Sequence, residues 1–186
     1  MAITAEERTS LVSLLVGMFD AAPNAELMTM FIEQLDSGST LTDIANDMDD
    51  TAEFQAIYPA WLTDEEFAER FVSNLADGNL SSSVLADGTA AVESLLASGL
   101  TRGEAAQVAV NFLMNTPTDD PDYGDAALGL MNKTEVAEYF AINLLDAETD
   151  MDTLTAVIED VDADPESVED AIGLIDMGVV SEDDFD

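Results

Sequence analysis

The sequence predicts an all-α protein, a bundle of about eight helices, and two observations carry that prediction. Apolar residues recur at intervals of three and four along almost the whole chain, and no stretch shows the strict alternation of a half-buried strand. Capping residues and glycines stand between these segments, where helices begin and end. Hydrophobic residues make up 47% of the 186 residues, enough for a packed core.

The first half of the chain holds five amphipathic segments. Thr63 and Glu66 have the spacing of a capping box, which predicts a helix start. Either Thr40 or Thr42 caps the third segment, and Gly38 follows the second as a stop signal. In chain order, these segments carry their apolar residues over 11–19, 27–35, 41–48, 51–58 and 67–75.

The second half follows the same pattern. Thr101 and Glu104 have capping-box spacing, and Asp164 with Pro165 fits an N-cap followed by proline at the first helical position. Residues 125–145 are predicted to be helical, as one helix or as two pieces around Asn132. In chain order, the predicted segments are 89–98, 105–113, 125–145, 154–161 and 168–175, and the last residues, 181–186, are expected to fray.

Residues 34–45 and 95–106 form a weak internal repeat. In each, a helix ends at a Ser-Gly pair, and the next helix begins near a Leu-Thr pair, Leu41–Thr42 and Leu100–Thr101 respectively. This pattern predicts a duplicated helical hairpin.

The predicted loop over 77–87 suggests a boundary within the bundle. It separates a first helical sub-bundle, residues 1–80, from a second, residues 81–186, which ends in an acidic C-terminal tail. We expect the two either to pack as distinct sub-bundles or to behave as one domain.

The charge balance is extreme. Forty-one Asp and Glu residues stand against four basic residues, for a net charge of −37 at pH 7. Such a surface repels phosphate backbones, which argues against nucleic acid as a partner. It also disfavours anionic lipid unless a divalent ion bridges the two. Self-repulsion destabilises the compact state, so we expect stability to rise with salt or bound cations.

No catalytic centre is predicted. The chain has no His, no Cys and a single Lys, whereas acid–base and nucleophilic catalysis draw mainly on such residues. Only paired carboxylates are left for catalysis, and no pair stands out. We therefore expect a non-enzymatic protein, with a carboxylate-based hydrolase as the alternative. The absence of Cys also excludes disulfides.

Clustered carboxylates make calcium the metal to consider, because it prefers oxygen ligands. Aspartates cluster at 47–50, 119–125 and 160–164. The last cluster begins like an EF-hand loop, but Pro165 stands where glycine is needed and Ala171 where the bidentate Glu belongs. The candidate calcium ligands are Asp119, Asp120, Asp122 and Asp125. The alternative is a set of solvated loops with diffusely condensed cations.

Trp61 is the candidate partner-binding residue. It follows Pro59 in a predicted loop, where it forms either a lid on the core or an exposed anchor for a partner. The other aromatic residues considered stand at core spacing: Phe19, Phe31, Phe54, Tyr58, Phe67, Phe71, Phe112 and Phe140.

The first third of the chain resembles a known helical repeat. A turn at Ala22-Pro23-Asn24 is followed by a helix ending in Leu35-Asp36-Ser37-Gly38, then Ile44-Ala45 and Glu53-Phe54. This order resembles the bacterial repeat called DUF4214. The chain departs from it at Met30-Phe31, where the family often has a Tyr-Trp pair.

A second resemblance lies further on. Residues 130–140, with Asn132-Lys133 and Val136-Ala137, resemble a segment in the N-terminal regions of RTX-type and S-layer-like bacterial proteins. A stretch like 162–168 commonly follows there, just before glycine-rich calcium repeats, which this sequence lacks.

The resemblance implies a secreted module. It implies type I secretion and a role at the cell surface or in the extracellular or biofilm matrix: assembly, adhesion or envelope anchoring. The partners would be a second copy, envelope glycan or lipopolysaccharide, held through divalent ions. It implies no catalytic residues. The N-terminus lacks a Sec signal pattern, and its apolar run 11–16 is too short to span a membrane. The alternative is a soluble acidic ligand- or protein-binding module in a halophile's cytosol.

Overall fold

The computed structural model describes residues 3–143 and 151–178, and these ranges are all-α, without a β-strand. The predicted fold class, an all-α bundle of about eight helices, is confirmed. The ten helices of the described ranges are α1 (Ala5–Phe19), α2 (Ala25–Asp36), α3 (Leu41–Asp49), α4 (Ala52–Ile57), α5 (Asp64–Leu75), α6 (Ser82–Ala97), α7 (Arg102–Met114), α8 (Gly124–Asn143), α9 (Met151–Glu159) and α10 (Pro165–Met177).

Helix α1 lies at the centre of the bundle. Every residue from Leu11 to Met18 is buried, including Ser13 and Gly17. A helix that is buried on all sides must be enclosed by others. Here α4, α5, α7 and α8 pack around it. A Cβ atom added at Gly17 would lie 2.4 Å from Cγ2 of Val110 on α7, so the glycine allows close packing there.

The internal repeat is present, but its register differs from the one predicted. Thr40 and Thr101, which are 61 residues apart, cap α3 and α7, so the alignment of Leu41–Thr42 with Leu100–Thr101 was wrong. Gly38 and Gly99 share the same spacing and similar left-handed φ angles of 104° and 101°. The two equivalent hairpins are therefore α2–α3 and α6–α7.

The second helices of the two hairpins pack against each other in antiparallel fashion. Thr42 of α3 donates a hydrogen bond to Gln107 of α7 (2.8 Å), and the N-cap Thr101 donates to Asn46. Between these contacts the two backbones approach closely. A Cβ atom added at Gly103 would lie 2.3 Å from the Ala45 carbonyl oxygen. Glycine is thus required at the centre of this contact.

The predicted start of the sixth helix was wrong. Helix α6 begins at Ser82, with Ser81 as its N-cap, and not near Thr89. Gly88 lies inside the helix, where an added Cβ atom would stand 3.0 Å from Cγ1 of Val72 on α5. Gly88 permits a close α5–α6 contact, so this glycine serves packing. Contacts of α5 with α6 and of α3 with α7 cross residue 80, and the division into 1–80 and 81–186 stays a prediction.

Helix α8 continues through Asn132, so the two-piece alternative was wrong. The buried Asn132 side chain donates a hydrogen bond to the Asp162 carbonyl oxygen (2.7 Å), which fixes the α9–α10 turn against α8. The end of the predicted segment 125–145 and the tail 181–186 lie outside the described residues.

Lys133 of α8 is buried where three helices meet. Its side chain is only 7% exposed, and its Nζ lies 2.9 Å from Oδ1 of Asp20 and 3.6 Å from Oδ2 of Asp77. Both aspartates have positive φ angles, 49° and 51°, at the C-terminal ends of α1 and α5. Since a helix C-terminus carries partial negative charge, aspartate is unfavourable there without a cation. Lys133 supplies that cation.

We predict that Gly103→Ala weakens the contact between α3 and α7. The new methyl group meets backbone atoms that cannot rotate away, which costs about 2 kcal/mol of the free energy of unfolding. The matched control is Gly173→Ala in α10, where an added Cβ atom has no neighbour within 4 Å. That change stabilises by up to about 1 kcal/mol through helix propensity. Urea unfolding at fixed salt measures the free energy of unfolding of both variants. Equal urea midpoints for the two variants would contradict the close α3–α7 contact at Gly103.

We predict that Lys133→Met destabilises the fold by about 2 kcal/mol, because it leaves two aspartates at helix C-termini without their cation. This loss is smaller than the ~3–5 kcal/mol that removal of one partner from a fully buried ion pair costs, since both carboxylates are about half exposed. Arg70→Met is the control, because it makes the same change in net charge at an exposed site. Urea unfolding that shows equal losses for both variants would mean that only net charge matters.

Three capping-box carboxylates predict a pH dependence. Hydrogen bonds from threonine backbone and hydroxyl groups lower the pKa of Glu7, Asp43 and Glu66 below the ordinary values of 4.5 and 3.8. A lowered folded-state pKa contributes stability that is present above the ordinary pKa and is lost as pH falls through the lowered one.

The test compares the wild type with the triple variant E7Q/D43N/E66Q across pH. The difference in the free energy of unfolding stays constant from about pH 6 to about pH 8 and shrinks below about pH 4.5. The variant E33Q/E69Q/D170N removes the same number of charges from exposed positions away from helix starts. A capping variant whose pH profile matches that of this control would contradict the assignment.

Candidate functional site

The predicted calcium ligands lie together in the loop between α7 and α8. Oδ1 of Asp120 accepts hydrogen bonds from the N–H groups of Asp122 (3.0 Å) and Tyr123 (2.9 Å), so this carboxylate orders the loop ahead of α8. A Cβ atom at Gly124 would lie 2.6 Å from the Thr118 carbonyl oxygen, which requires glycine at this bend. One open groove is lined by all four candidate ligands, Asp119, Asp120, Asp122 and Asp125, together with Asn79 and Ser81.

These carboxylates share a groove without surrounding a common point. Within residues 3–143 and 151–178, no three acidic side chains stand close enough to hold one metal ion together. An ion held there would therefore be bound at an open surface, by few protein oxygens and by water. Calcium binding at this loop stays a prediction.

The other two aspartate clusters contain residues that stabilise helix starts. Oδ1 of Asp164 accepts a hydrogen bond from the Glu166 N–H group (3.0 Å) as N-cap of α10. Oδ2 of Asp49 accepts from the Gly103 N–H group (3.3 Å) at the start of α7. Burial raises the pKa of Asp49, against the lowering effects of this hydrogen bond and of the Arg102 charge. Asp164 and Asp49 thus have structural roles at helix starts that need no metal.

Trp61 is exposed, so the alternative of a lid on the core was wrong. Its side chain stands in the turn between α4 and α5, with 76% of its surface accessible. The turn is held by Arg102, whose guanidinium donates hydrogen bonds to the carbonyl oxygens of Pro59 (3.2 Å) and Leu62 (2.7 Å). The same guanidinium lies 4.8 Å from the ring centroid of Phe67. The indole is therefore displayed outwards from a fixed turn.

An apolar cavity, not predicted from the sequence, lies between α5, α6 and α7. Its volume is about 260 Å³. Tyr123, just before α8, forms part of its wall, and the Tyr123 and Phe112 rings meet edge to face with centroids 5.2 Å apart. The lining residues are Val72, Leu75, Ala76, Leu80, Gly88, Ala91, Val92, Leu95, Val108, Ala109, Phe112, Leu113 and Tyr123. We call this recess the α5–α7 cavity.

The placement of Phe112 in the core was wrong. This side chain is 54% exposed and stands at the edge of the α5–α7 cavity, beside Val108, which is 43% exposed. On α7, Ala105, Ala106 and Val110 already face the core. Val108 and Phe112, four residues apart, form a second apolar stripe on the same helix. That second stripe was the available sequence signal for the cavity.

Acidic residues adjoin the lining of the cavity: Asp87 precedes Gly88 and Asp122 precedes Tyr123 in the chain, and Oδ1 of Asp120 accepts a hydrogen bond from the Tyr123 N–H group. Burial, and then the charges of Asp87, Asp122 and Asp120, raise the pKa of Tyr123. The Tyr123 hydroxyl oxygen would lie 4.0 Å from a Cβ atom at Gly88, which places it against α6. The described residues that line the cavity include neither lysine nor arginine. The site is thus an apolar recess with a negative rim.

Comparisons with protein-family models, with curated proteins and with solved structures found no match. The resemblance to the DUF4214-type repeat and to RTX-type and S-layer-like proteins therefore stays a prediction. Within the described part of the chain, none of the helices has both the length and the apolarity that crossing a bilayer requires.

Proposed function

We propose that this chain is a non-enzymatic binding module of a type I-secreted protein of the RTX or S-layer-like kind. It acts at the cell surface or in the extracellular matrix, in assembly, adhesion or envelope anchoring. Divalent cations, calcium first, bridge its acidic surface to anionic envelope glycan or lipopolysaccharide, or to a second copy of the chain.

The observation that carries this proposal is the placement of the few basic groups. Of four basic residues, Lys133 is buried against Asp20 and Asp77, and Arg102 is directed at backbone carbonyl oxygens. Two of the four basic side chains are thus engaged in holding the fold, and 41 acidic residues leave the surface strongly anionic. Two anionic surfaces repel each other over about a Debye length, roughly 8 Å at physiological salt. Divalent ions that bind both remove that repulsion.

Two local features support the same function. The loop with Asp119, Asp120, Asp122 and Asp125 presents carboxylates on one open groove, where an ion keeps coordination positions for a partner's oxygens. The exposed Trp61 offers an apolar, amphipathic contact, of the kind enriched in binding interfaces. A bridging ion needs no closed cage, so an open groove suits this role.

A second candidate function is supported by the α5–α7 cavity. A soluble acidic module that binds a small ligand, with the acidity serving solubility in a halophile's cytosol, also fits an apolar recess beneath a charged surface. The first candidate binds the cell envelope through ions on its acidic surface, whereas the second binds a small ligand in the cavity. Sedimentation with membranes distinguishes the two.

The test is co-sedimentation of the purified chain with Gram-negative outer-membrane vesicles. We expect the chain to pellet in millimolar calcium and to stay in solution in chelator at matched ionic strength. A chain that stays in solution under both conditions would rule out envelope anchoring.

Matched variants test whether the bridging cations bind at the loop between α7 and α8. D119N/D120N/D122N/D125N removes four charges from the loop, and the amide introduced by D120N keeps an acceptor oxygen for the N–H groups that order it. E33Q/E69Q/E159Q/D170N removes four charges from exposed helix positions elsewhere. We expect the loop variant to need several times more calcium to pellet, and the control to behave like the wild type. Equal behaviour of the two variants would assign the bridging to the whole acidic surface.

A further inference from the structure

The α5–α7 cavity has no part in ion bridging, and its chemistry specifies a ligand. We propose that it binds a small amphiphilic organic cation, with an apolar chain or ring inside the cavity and an ammonium group at its acidic rim. This inference rests on the second candidate function, small-ligand binding at this cavity, and names its ligand class. It is independent of the envelope proposal, since it concerns a different surface and a different ligand.

The interior of the cavity suits an apolar group. Its wall includes the aliphatic side chains of Val72, Leu75, Val92, Leu95 and Leu113, from three helices. At about 260 Å³ it exceeds the roughly 150 Å³ engineered apolar cavity in another protein that stays dry and binds benzene. Each methylene group buried in such surroundings raises affinity roughly threefold to fourfold. A chain of several carbons would thus gain much of its affinity there.

The rim suits a positive charge. The rings of Phe112 and Tyr123 meet edge to face at the opening, and aromatic ring faces attract ammonium groups. Asp87 of α6 is the chain neighbour of the lining residue Gly88. In the loop between α7 and α8, Asp122 precedes the lining residue Tyr123, and Oδ1 of Asp120 accepts a hydrogen bond from the Tyr123 N–H group (2.9 Å). Because the described lining contains no basic residue, a ligand carboxylate there would be repelled and unpaired.

The shape argues against a macromolecular partner. Of the lining side chains, only those of Val108 and Phe112 are large, apolar and strongly exposed. The other large apolar side chains of the lining present little surface to solvent. A helix or a second copy would need a broader apolar face than two side chains provide. A second copy would also bring further carboxylates to a negative rim, with net charge −37 on each chain.

The test is calorimetric titration of the full chain with three probes of equal chain length: octyltrimethylammonium, octanol and octanoate. We expect the cation to bind at least tenfold more tightly than octanoate, with octanol between them. Decyltrimethylammonium should bind about tenfold more tightly than the octyl compound, because two more methylene groups are buried. Octanoate binding as tightly as the cation would overturn the proposal.

A highly acidic protein also collects cations non-specifically, and matched variants separate that effect. Ala91 lines the cavity and Ala90 does not, although both are exposed residues of α6. Ala91→Phe should abolish stoichiometric binding, and Ala90→Phe should leave it unchanged. Equal binding by the two variants overturns the proposal.

Two further measurements test the cavity proposal without relying on Ala91→Phe, in case that variant folds poorly. Phe112→Ala removes a half-exposed ring at the cavity edge together with its contact to Tyr123, and it should weaken binding of the cation more than binding of octanol. Sedimentation of the unliganded chain addresses the second-copy alternative. A dimer that Phe112→Ala dissociates would assign the cavity to self-association and overturn the proposal.

Discussion

The ion pairs of Lys133 are the interaction on which the arrangement of the bundle depends. One ammonium group joins the middle of α8 to the C-terminal ends of α1 and α5, through Asp20 and Asp77. Both aspartates hold left-handed conformations that non-glycine residues seldom adopt. In a chain with 41 acidic residues, the helix ends that meet here would repel without a cation between them. The central helix can stop and turn at Asp20 because Lys133 stands beside it.

Arg102 shows the same use of scarce positive charge. Its guanidinium fixes the turn after α4 through backbone carbonyl oxygens and covers the Phe67 ring. Lys133 and Arg102 together thus hold two helix ends and one turn. The 41 acidic residues against four basic ones keep the surface strongly anionic, so association with another anionic body would require cations.

Local signals allowed most helix ends to be predicted, whereas packing decided the features that were missed. The capping boxes at Thr63 and Thr101 and the Asp164–Pro165 start were identifiable because a helix end is satisfied by neighbours in sequence. The contact of Gly88 with Val72 was not predicted, because the two residues are sixteen positions apart in the chain and meet only through the packing of α6 on α5. The cavity went unpredicted for the same reason. Its walls come from three helices, and only Phe112 on a second apolar stripe hinted at it.

The two proposed sites would respond differently to salt, because their attractive forces differ. Bridging between anionic surfaces rests on charge, and added monovalent salt both screens the repulsion and competes for the carboxylates. Binding in the α5–α7 cavity combines a rim charge, which salt also screens, with burial of apolar surface, which salt leaves intact or strengthens. At high ionic strength the cavity would therefore keep the part of its affinity that comes from contacts with Val72, Val92 and Leu113. Ion bridging that weakens with salt and ligand binding that persists would thus be compatible in one protein.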